Sequence, residues 1–130
     1  MATVLIVDDQ DDIRESLRTL LEDAGHTVLE ANNGQLGVEM ASSHSPDVTL
    51  MDVMMPVMNG IDALRQIRES PTTGKMPVVM VTAYGQGEHL RQAAEYGAKN
   101  IIHKPWESGE IELVLDWALK SRGQAEVSVR

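Results

Sequence analysis

The segment TVLIVDDQDDIRESLRTLLEDAG, residues 3–25, contains one complete strand–helix unit. Its first five residues are apolar or β-branched, which is typical of a buried strand, and the acids Asp8 and Asp9 follow at once. Apolar residues then recur at i, i+4, i+7, i+8 and i+11, a spacing that places them on one helix face: Ile13, Leu17, Leu20, Leu21 and Ala24. Gly25 is positioned to end this helix.

The same alternation of short apolar runs and longer amphipathic segments continues to the end of the chain. Four more strands are predicted: HTVLEA (26–31), DVTLMD (47–52), MPVVMVT (76–82) and NIIH (100–103). Helices are predicted around residues 34–43, 60–69 and 86–96, mainly because the alternation of strands needs a crossover at each of these places. A last helix is predicted from its apolar spacing over Ile111, Val114, Leu115, Ala118 and Leu119, closed by Gly123. Five strands, each followed by a helix, predict an α/β fold with a doubly wound, five-stranded parallel sheet covered on both faces.

Size and composition exclude several classes of function. The 130 residues suffice for one domain, predicted over residues 1–122, with a short tail over 123–130. A formal net charge of -9 disfavours direct binding of nucleic acid and favours cationic partners. The absence of cysteine excludes disulfides, thiolate nucleophiles and Cys-ligated metals. No apolar stretch resembles a signal peptide or a membrane span, so we expect a cytoplasmic protein that does not associate with membranes.

Polar side chains follow four of the five predicted strands. Asp8 and Asp9 follow the first, Asp52 the third and Lys104 the fifth, while Thr82 ends the fourth. In a doubly wound sheet these strand ends share one edge, where functional groups collect. If strands one and three are neighbours, three carboxylates converge there, and the pKa of at least one is expected to rise. A divalent cation and Lys104 would balance their charge, and an all-oxygen set of ligands suits Mg²⁺.

Each of these features also has a simpler interpretation when it is taken alone. An Asp-Asp pair often opens a helix, although Asp11 and Asp12 could supply the helix cap and leave the earlier pair available. A single Asp after a strand is commonly a turn residue. Asn59-Gly60 could form a hairpin turn, but the helical spacing that follows makes Asn59 a better N-cap. The joint placement of these groups on the strand ends favours a functional site.

Four segments resemble, in order and spacing, the response-regulator receiver domain of two-component signal transduction: VLIVDDQDDIRESLRTLLEDAG, MDVMMPVMNG, VTA and KPW. The resemblance covers about residues 3–120. It implies a flavodoxin-like or CheY-like fold with strand order 2-1-3-4-5. It also implies a phosphorelay protein that takes a phosphoryl group from a sensor histidine kinase or a histidine phosphotransfer protein. Such a protein is not an enzyme beyond catalysing its own phosphorylation and dephosphorylation.

The resemblance assigns the acidic residues to phosphoryl acceptance and to binding of Mg²⁺. Asp52 matches the phospho-accepting aspartate, and Asp9 matches the acid that binds Mg²⁺ directly. Asp8 matches the acid that usually acts through metal-bound water, and the backbone carbonyl of Met54 would complete the set of protein ligands.

The resemblance also implies roles for three residues on the later strands. Thr82 matches the hydroxyl that bonds the phosphoryl group once it is attached, and Lys104 matches the ammonium that pairs with it. Pro105 matches a proline whose preceding peptide bond is typically cis. Phosphorylation would then alter the surface formed by strand 4, helix 4, strand 5 and helix 5, through which the domain contacts a downstream protein target or output domain.

Two features of the sequence concern how other parts of the protein would respond to phosphorylation of Asp52, and the first departs from the family pattern. The family usually has Tyr or Phe three residues before the lysine, where this chain has Ile101, so we expect Tyr84 or the surface near Trp106 to take over that role. The last helix carries a second apolar pair, Leu113 and Trp117, away from its core stripe. The pair is either partly shielded surface or part of a partner or dimer surface on helices 4 and 5.

Several functions remain open at this point. The leading hypothesis is a stand-alone receiver, monomeric or dimerising on phosphorylation. A second is the receiver portion of a larger regulator with a DNA-binding or enzymatic output domain. A small aspartyl-phosphate phosphatase is disfavoured because such enzymes usually keep an acid two residues after the nucleophile, where this chain has Met54. A flavodoxin-like flavin carrier is disfavoured because three carboxylates would repel the flavin phosphate.

Overall fold

The structure is a computed structural model that describes residues 1–83 and 87–120, and within these it confirms the alternation of strands and helices. The strands are β1 (Thr3–Val7), β2 (Thr27–Ala31), β3 (Val48–Met51), β4 (Val78–Thr82) and β5 (Asn100–His103). The helices are α1 (Asp11–Asp23), α2 (Gly34–His44), α3 (Gly60–Glu69), α4 (Gly87–Glu95) and α5 (Glu110–Lys120). Gly123 lies outside the described residues.

The five strands form one parallel sheet in the order β2-β1-β3-β4-β5, as the resemblance implies. Val7, the last residue of β1, lies opposite Ala31 in β2 and Met51 in β3. In the same way Thr82, the last residue of β4, lies opposite His103 in β5. Because all five strands run parallel, the residues that follow them share one edge of the sheet.

Two apolar clusters, one on each face, hold the sheet between its helices. Leu5 and Val7 of β1 point into the cluster that contains residues of α2, α3 and α4, whereas Val4 and Ile6 point into the cluster that contains residues of α1 and α5. Every residue of β3 and β4 is buried, which explains why these strands read as continuous apolar runs. The sheet is therefore a rigid base for whatever its edge carries.

The ends of the helices confirm one expected cap and correct another. The side chain of Asn59 accepts a hydrogen bond from the backbone N–H of Asp62 at 2.9 Å, so Asn59 caps α3 as predicted. The expectation that Asp11 or Asp12 is the N-cap of α1 is wrong, because that residue is Gln10, whose own side chain forms no capping hydrogen bond. Both acids lie in the first turn, where the helix dipole favours negative charge.

The C-terminal end of α1 confirms one expectation and corrects another. Gly25 adopts a φ of 93° directly after the helix, as the predicted stop requires. Ala24 is exposed and forms the C-cap, so the apolar stripe of α1 ends at Leu21.

Gly60 lets the segment between β3 and α3 close back onto the end of β3. Its backbone N–H donates to the carbonyl of Val53 at 2.8 Å. A Cβ atom at this position would lie 1.9 Å from the backbone oxygen of Asp52. Only glycine permits this approach, and the opposing atoms belong to the backbone and cannot rotate away.

We predict that Gly60→Ala lowers the free energy of unfolding by about 3 kcal/mol, because the added methyl group overlaps the Asp52 backbone. Urea unfolding followed by circular dichroism measures the change. Gly109→Ala is the control, since a Cβ there meets open space and only the φ of 84° opposes it, at about 1–2 kcal/mol. Equal unfolding midpoints for the two variants would contradict the role assigned to Gly60.

Candidate functional site

Three carboxylates meet at the edge of the sheet where β1 and β3 end. Asp8, Asp9 and Asp52 each offer an oxygen atom, and these atoms all lie within 4.8 Å of one another. Asp8 is 2% exposed and Asp52 is 5% exposed, whereas Asp9 faces solvent. The convergence predicted from the strand ends is confirmed for these three groups.

Strand pairing fixes the backbone of the two buried acids. The N–H of Asp8 donates to the carbonyl of Ala31 at 3.1 Å, and the N–H of Asp52 donates to the carbonyl of Val7 at 2.9 Å. Each bond extends the parallel ladder by one residue past the end of a strand. The positions of both carboxylates are therefore set by the register of the sheet.

Lys104 reaches the same cluster from the end of β5. Its Nζ lies 2.7 Å from Oδ2 of Asp8 and 3.3 Å from Oδ2 of Asp52, and it also donates to Oε1 of Gln10 at 3.3 Å. The backbone N–H of Lys104 donates to the carbonyl of Thr82 at 3.0 Å, which continues the β4–β5 pairing. The peptide bond between Lys104 and Pro105 is cis, as the resemblance implies.

The surroundings of Asp52 and Lys104 raise the pKa values of both groups. Burial raises the pKa of Asp52, the nearby charge of Asp8 raises it further, and Lys104 opposes both effects without cancelling them. Burial alone would lower the pKa of Lys104, but its hydrogen bonds and charge interactions with Asp8 and Asp52 outweigh that effect and raise the pKa. Lys104 is therefore a firmly held cation, and Asp52 is a carboxylate that is costly to ionise.

The donor atoms of the cluster suit a hard divalent cation. The carboxylate oxygens of Asp8, Asp9 and Asp52 provide an all-oxygen set, which is the chemistry that Mg²⁺ prefers. Oδ1 of Asp52 also accepts a hydrogen bond from the N–H of Val53 at 2.8 Å, so this carboxylate has a fixed orientation. Met54 follows Val53 in the loop, and the role of its carbonyl as a metal ligand stays a prediction.

The remaining predicted residues lie around this edge or on α5. Thr82 is fully buried at the end of β4, and Tyr84 lies outside the described residues. Ile101 packs against the apolar cluster of α2, α3 and α4, while Trp106 packs against that of α1 and α5. On α5, Leu113 is 72% exposed and Trp117 is 49% exposed, so the structure confirms that this pair points away from the core.

A group of charged side chains that the sequence analysis did not identify lies beside the turn after β1. Nη1 of Arg14 donates to the backbone carbonyl of Asp8 at 2.7 Å, and its Nε donates to Oε1 of Glu30 at 3.0 Å. Arg18 also forms an ion pair with Glu30. Glu30 is a charged residue inside β2, and such a residue needs a cationic partner, which is the signal that could have led to Arg14.

The sequence model of the protein family named response regulator receiver domain matches residues 4–116, so this chain belongs to that family. Receiver domains function in two-component systems and typically bind Mg²⁺ at an acidic pocket, which agrees with the cluster of Asp8, Asp9 and Asp52. The family also implies interaction with histidine kinases or phosphotransfer proteins.

Curated relatives include both short and long proteins. The chain is 41% identical over 105 residues to protein PilH of Pseudomonas aeruginosa, an alignment that covers 81% of this chain and 87% of PilH. It is 36% identical to the chemotaxis protein CheY of Halobacterium salinarum, with coverages of 83% and 88%. Regulatory protein AtoC of Escherichia coli is 38% identical over 117 residues, which are 90% of this chain and 25% of AtoC. The chain therefore spans only a quarter of that longer relative.

Solved structures agree with this assignment. The chemotaxis protein CheY4 of Vibrio cholerae has a TM-score of 0.86 and 31% sequence identity, covering 92% of this chain and 99% of that chain. Among the helices of residues 1–83 and 87–120, none has the length and apolar character needed to cross a bilayer.

We predict that Asp52→Asn stabilises the protein in a chelating buffer at pH 7. The pKa of Asp52 is raised above its ordinary value of 3.8, so folding favours the protonated form. That contribution is fully present below pH 3.8 and is lost as the pH rises through the folded pKa. Ionised Asp52 therefore weakens the fold at neutral pH, and Asn removes this cost. Each kcal/mol gained corresponds to roughly 3–5 °C in Tm for a domain of this size.

Thermal melting between pH 4 and pH 8 measures this effect, and the advantage of the variant should shrink as the pH approaches 4. Asp116→Asn is the control, because Asp116 is exposed and pairs only with Lys120 among the described ion pairs. A lower Tm for Asp52→Asn than for the unaltered protein at pH 7 would contradict the electrostatic account.

Proposed function

We propose that this receiver accepts a phosphoryl group on Asp52 from a sensor histidine kinase or a histidine phosphotransfer protein. The observation that carries the proposal is the position of Asp52: a buried carboxylate within 4.8 Å of two other carboxylates and 3.3 Å from the ammonium of Lys104. Buried carboxylates held this close together, one of them with a raised pKa, are typical of functional sites.

Asp52 would act as the nucleophile. One of its carboxylate oxygens attacks phosphorus, the bond from phosphorus to the donor nitrogen breaks, and the electron pair of that bond leaves with the histidine. Val53 holds Oδ1 through its N–H and Lys104 faces Oδ2, so the carboxylate is oriented before the reaction. Phosphoryl transfer depends more on such positioning and on neutralised charge than on other covalent help.

The acidic residues and one carbonyl would hold Mg²⁺. Asp9 and Asp52 are its proposed direct carboxylate ligands, Asp8 acts through bound water, and Met54 contributes its backbone oxygen. When bound, Mg²⁺ neutralises charge on the transferring phosphoryl oxygens. Lys104, which holds Asp8 and Asp52 in this structure, would pair with the attached phosphoryl group.

Thr82 and the neighbouring surface would change conformation or environment when Asp52 is phosphorylated. An attached phosphoryl group adds about 1.5 to 2 negative charges and three strong acceptor oxygens, which draw the hydroxyl of Thr82 towards it. Ile101 cannot provide the aromatic group that the family usually has, so Trp106 and Tyr84 are the proposed reporters. Leu113 and Trp117 are exposed apolar side chains on α5, and we assign them to the surface that contacts a downstream protein or a second copy.

The relatives support two arrangements of the whole protein. Similarity over 87% of PilH supports a stand-alone receiver, with the domain over residues 1–122 and a tail over 123–130. Similarity over 25% of AtoC supports a receiver portion of a larger regulator whose output domain lies outside this chain. The chemistry proposed for Asp52 is the same in both arrangements.

We predict that incubation with Mg²⁺ and acetyl phosphate adds one phosphoryl group, detected by intact-protein mass spectrometry. Asp52→Ala should abolish the adduct, because the nucleophile is lost. Asp62→Asn is the control and should keep it, since Asp62 is an exposed first-turn residue of α3 that pairs with Arg65. An adduct on Asp52→Ala would refute the assignment of the acceptor.

We also predict that phosphorylation shifts the indole N–H signals of Trp106 and Trp117 in ¹H–¹⁵N NMR spectra. The reason is that both residues belong to the segment that follows Lys104. The backbone N–H signal of Ala41, in the second half of α2, is the control and should stay in place, because α2 packs on the opposite face of the sheet from α5. If both indole signals and the backbone N–H signal of Tyr84 were unchanged in the fully phosphorylated protein, the proposed readout would be wrong.

A further inference from the structure

We infer that Arg14 is a positioning residue of this site, which fixes the direction of the Asp8 and Asp9 carboxylates by holding the peptide group between them. This inference rests on the proposed binding of Mg²⁺ by these acids. It adds a residue of α1 and a residue of β2 to a site otherwise built from strand ends.

The guanidinium of Arg14 joins three separate segments. Nη1 bonds the carbonyl of Asp8 in the turn after β1, Nε bonds Glu30 within β2, and Nη2 bonds the carboxylate of Asp11 in the first turn of α1. The Arg14 side chain is only 15% exposed. Because the guanidinium is planar and its donors have fixed directions, the three bonds together determine where the Asp8 carbonyl lies.

With the hydrogen bond from Arg14, every polar group of Asp8 has a hydrogen-bond partner. The backbone N–H of Asp8 donates to Ala31, its Oδ1 accepts from the N–H of Gln10 at 2.9 Å, and its Oδ2 accepts from Lys104. The backbone carbonyl is the remaining polar group, and Arg14 binds it with a charge-assisted hydrogen bond.

The carbonyl of Asp8 belongs to the peptide group that links Asp8 to Asp9. The orientation of this group depends on ψ of Asp8 and φ of Asp9, which are also the two angles that set the direction of one side chain relative to the other. Holding one oxygen atom of the backbone therefore controls the direction of two proposed metal-binding side chains. A rigid turn at this point lowers the cost of gathering the ligands around a cation.

Glu30 supports Arg14 from the adjacent strand. It precedes Ala31, whose carbonyl accepts the N–H of Asp8. Two consecutive residues of β2 thus hold the Asp8 backbone, Ala31 directly at its N–H and Glu30 through Arg14 at its carbonyl. Arg18 bonds the other oxygen of Glu30, and within residues 1–83 and 87–120 it forms no hydrogen bond or ion pair with the turn after β1, which makes it a matched control on the same helix.

The test is the affinity for Mg²⁺, measured by isothermal titration calorimetry on the whole chain. Arg14→Met should weaken binding about tenfold or more, which is the typical loss when an outer partner of a metal site is removed. Arg14→Lys should recover less than half of that loss on a logarithmic scale, because an ammonium cannot keep all three bonds. Arg18→Met should stay within about twofold of the unaltered protein.

A second readout separates positioning from general damage to the fold. With acetyl phosphate as donor, Arg14→Met should raise the Mg²⁺ concentration for half-maximal phosphorylation by about tenfold, while the rate at saturating Mg²⁺ stays within about twofold. Glu30→Gln provides a milder variant, expected to weaken Mg²⁺ binding about threefold, and it decides the question if Arg14→Met fails to fold.

Equal Mg²⁺ affinities for Arg14→Met and Arg18→Met would overturn the positioning role of Arg14 and leave the proposed function intact. A tenfold weakening that Arg14→Lys fully restores would also overturn it, because charge alone would then explain the effect. If the unaltered protein neither bound Mg²⁺ nor accepted a phosphoryl group, the proposed function itself would fail, and the role of Arg14 with it.

Discussion

Mutual repulsion among Asp8, Asp9 and Asp52 is the constraint on which the rest of this structure depends. Parallel pairing of β1 with β3 brings one oxygen atom of each carboxylate within 4.8 Å of the others and fixes the backbones of the two buried acids, Asp8 and Asp52. The protein offsets the repulsion with Lys104 from the end of β5, and burial still leaves the pKa of Asp52 raised. The site is thus prepared for added positive charge, which supports the proposed binding of Mg²⁺ there.

Much of the fold and the centre of the site could be predicted from the sequence, because both follow from short-range pattern. The apolar runs of β1, β3 and β4 are continuous since these strands are buried on both faces, and the helix after β1 has clear apolar spacing. Groups placed directly after a strand, such as Asp52 and Lys104, must then appear on one edge. The order of the strands came from family resemblance, since hydrophobic pattern alone does not say which strands are neighbours.

The remaining features depend on side-chain directions that spacing does not reveal. Arg14 looks like an ordinary charge on a helix surface, yet it points back over the turn after β1 because Glu30 and Asp11 both attract it. The cap of α1 was misassigned for a related reason. Asp8 accepts the N–H of Gln10 and so begins the turn earlier than Asp11 or Asp12 could. Gly60 is required by its distance to the Asp52 backbone, which becomes visible only once the loop has closed.

The most direct measurement of the central claim is a crystal structure of this chain grown with Mn²⁺ in place of Mg²⁺, with the metal located by its anomalous signal. We expect one metal at the edge of the sheet, bound by carboxylate oxygens of Asp9 and Asp52 and by the Met54 carbonyl, with Asp8 reached through water. A metal bound only at another place, or no metal at this edge at saturating concentration, would contradict the assignment of these ligands.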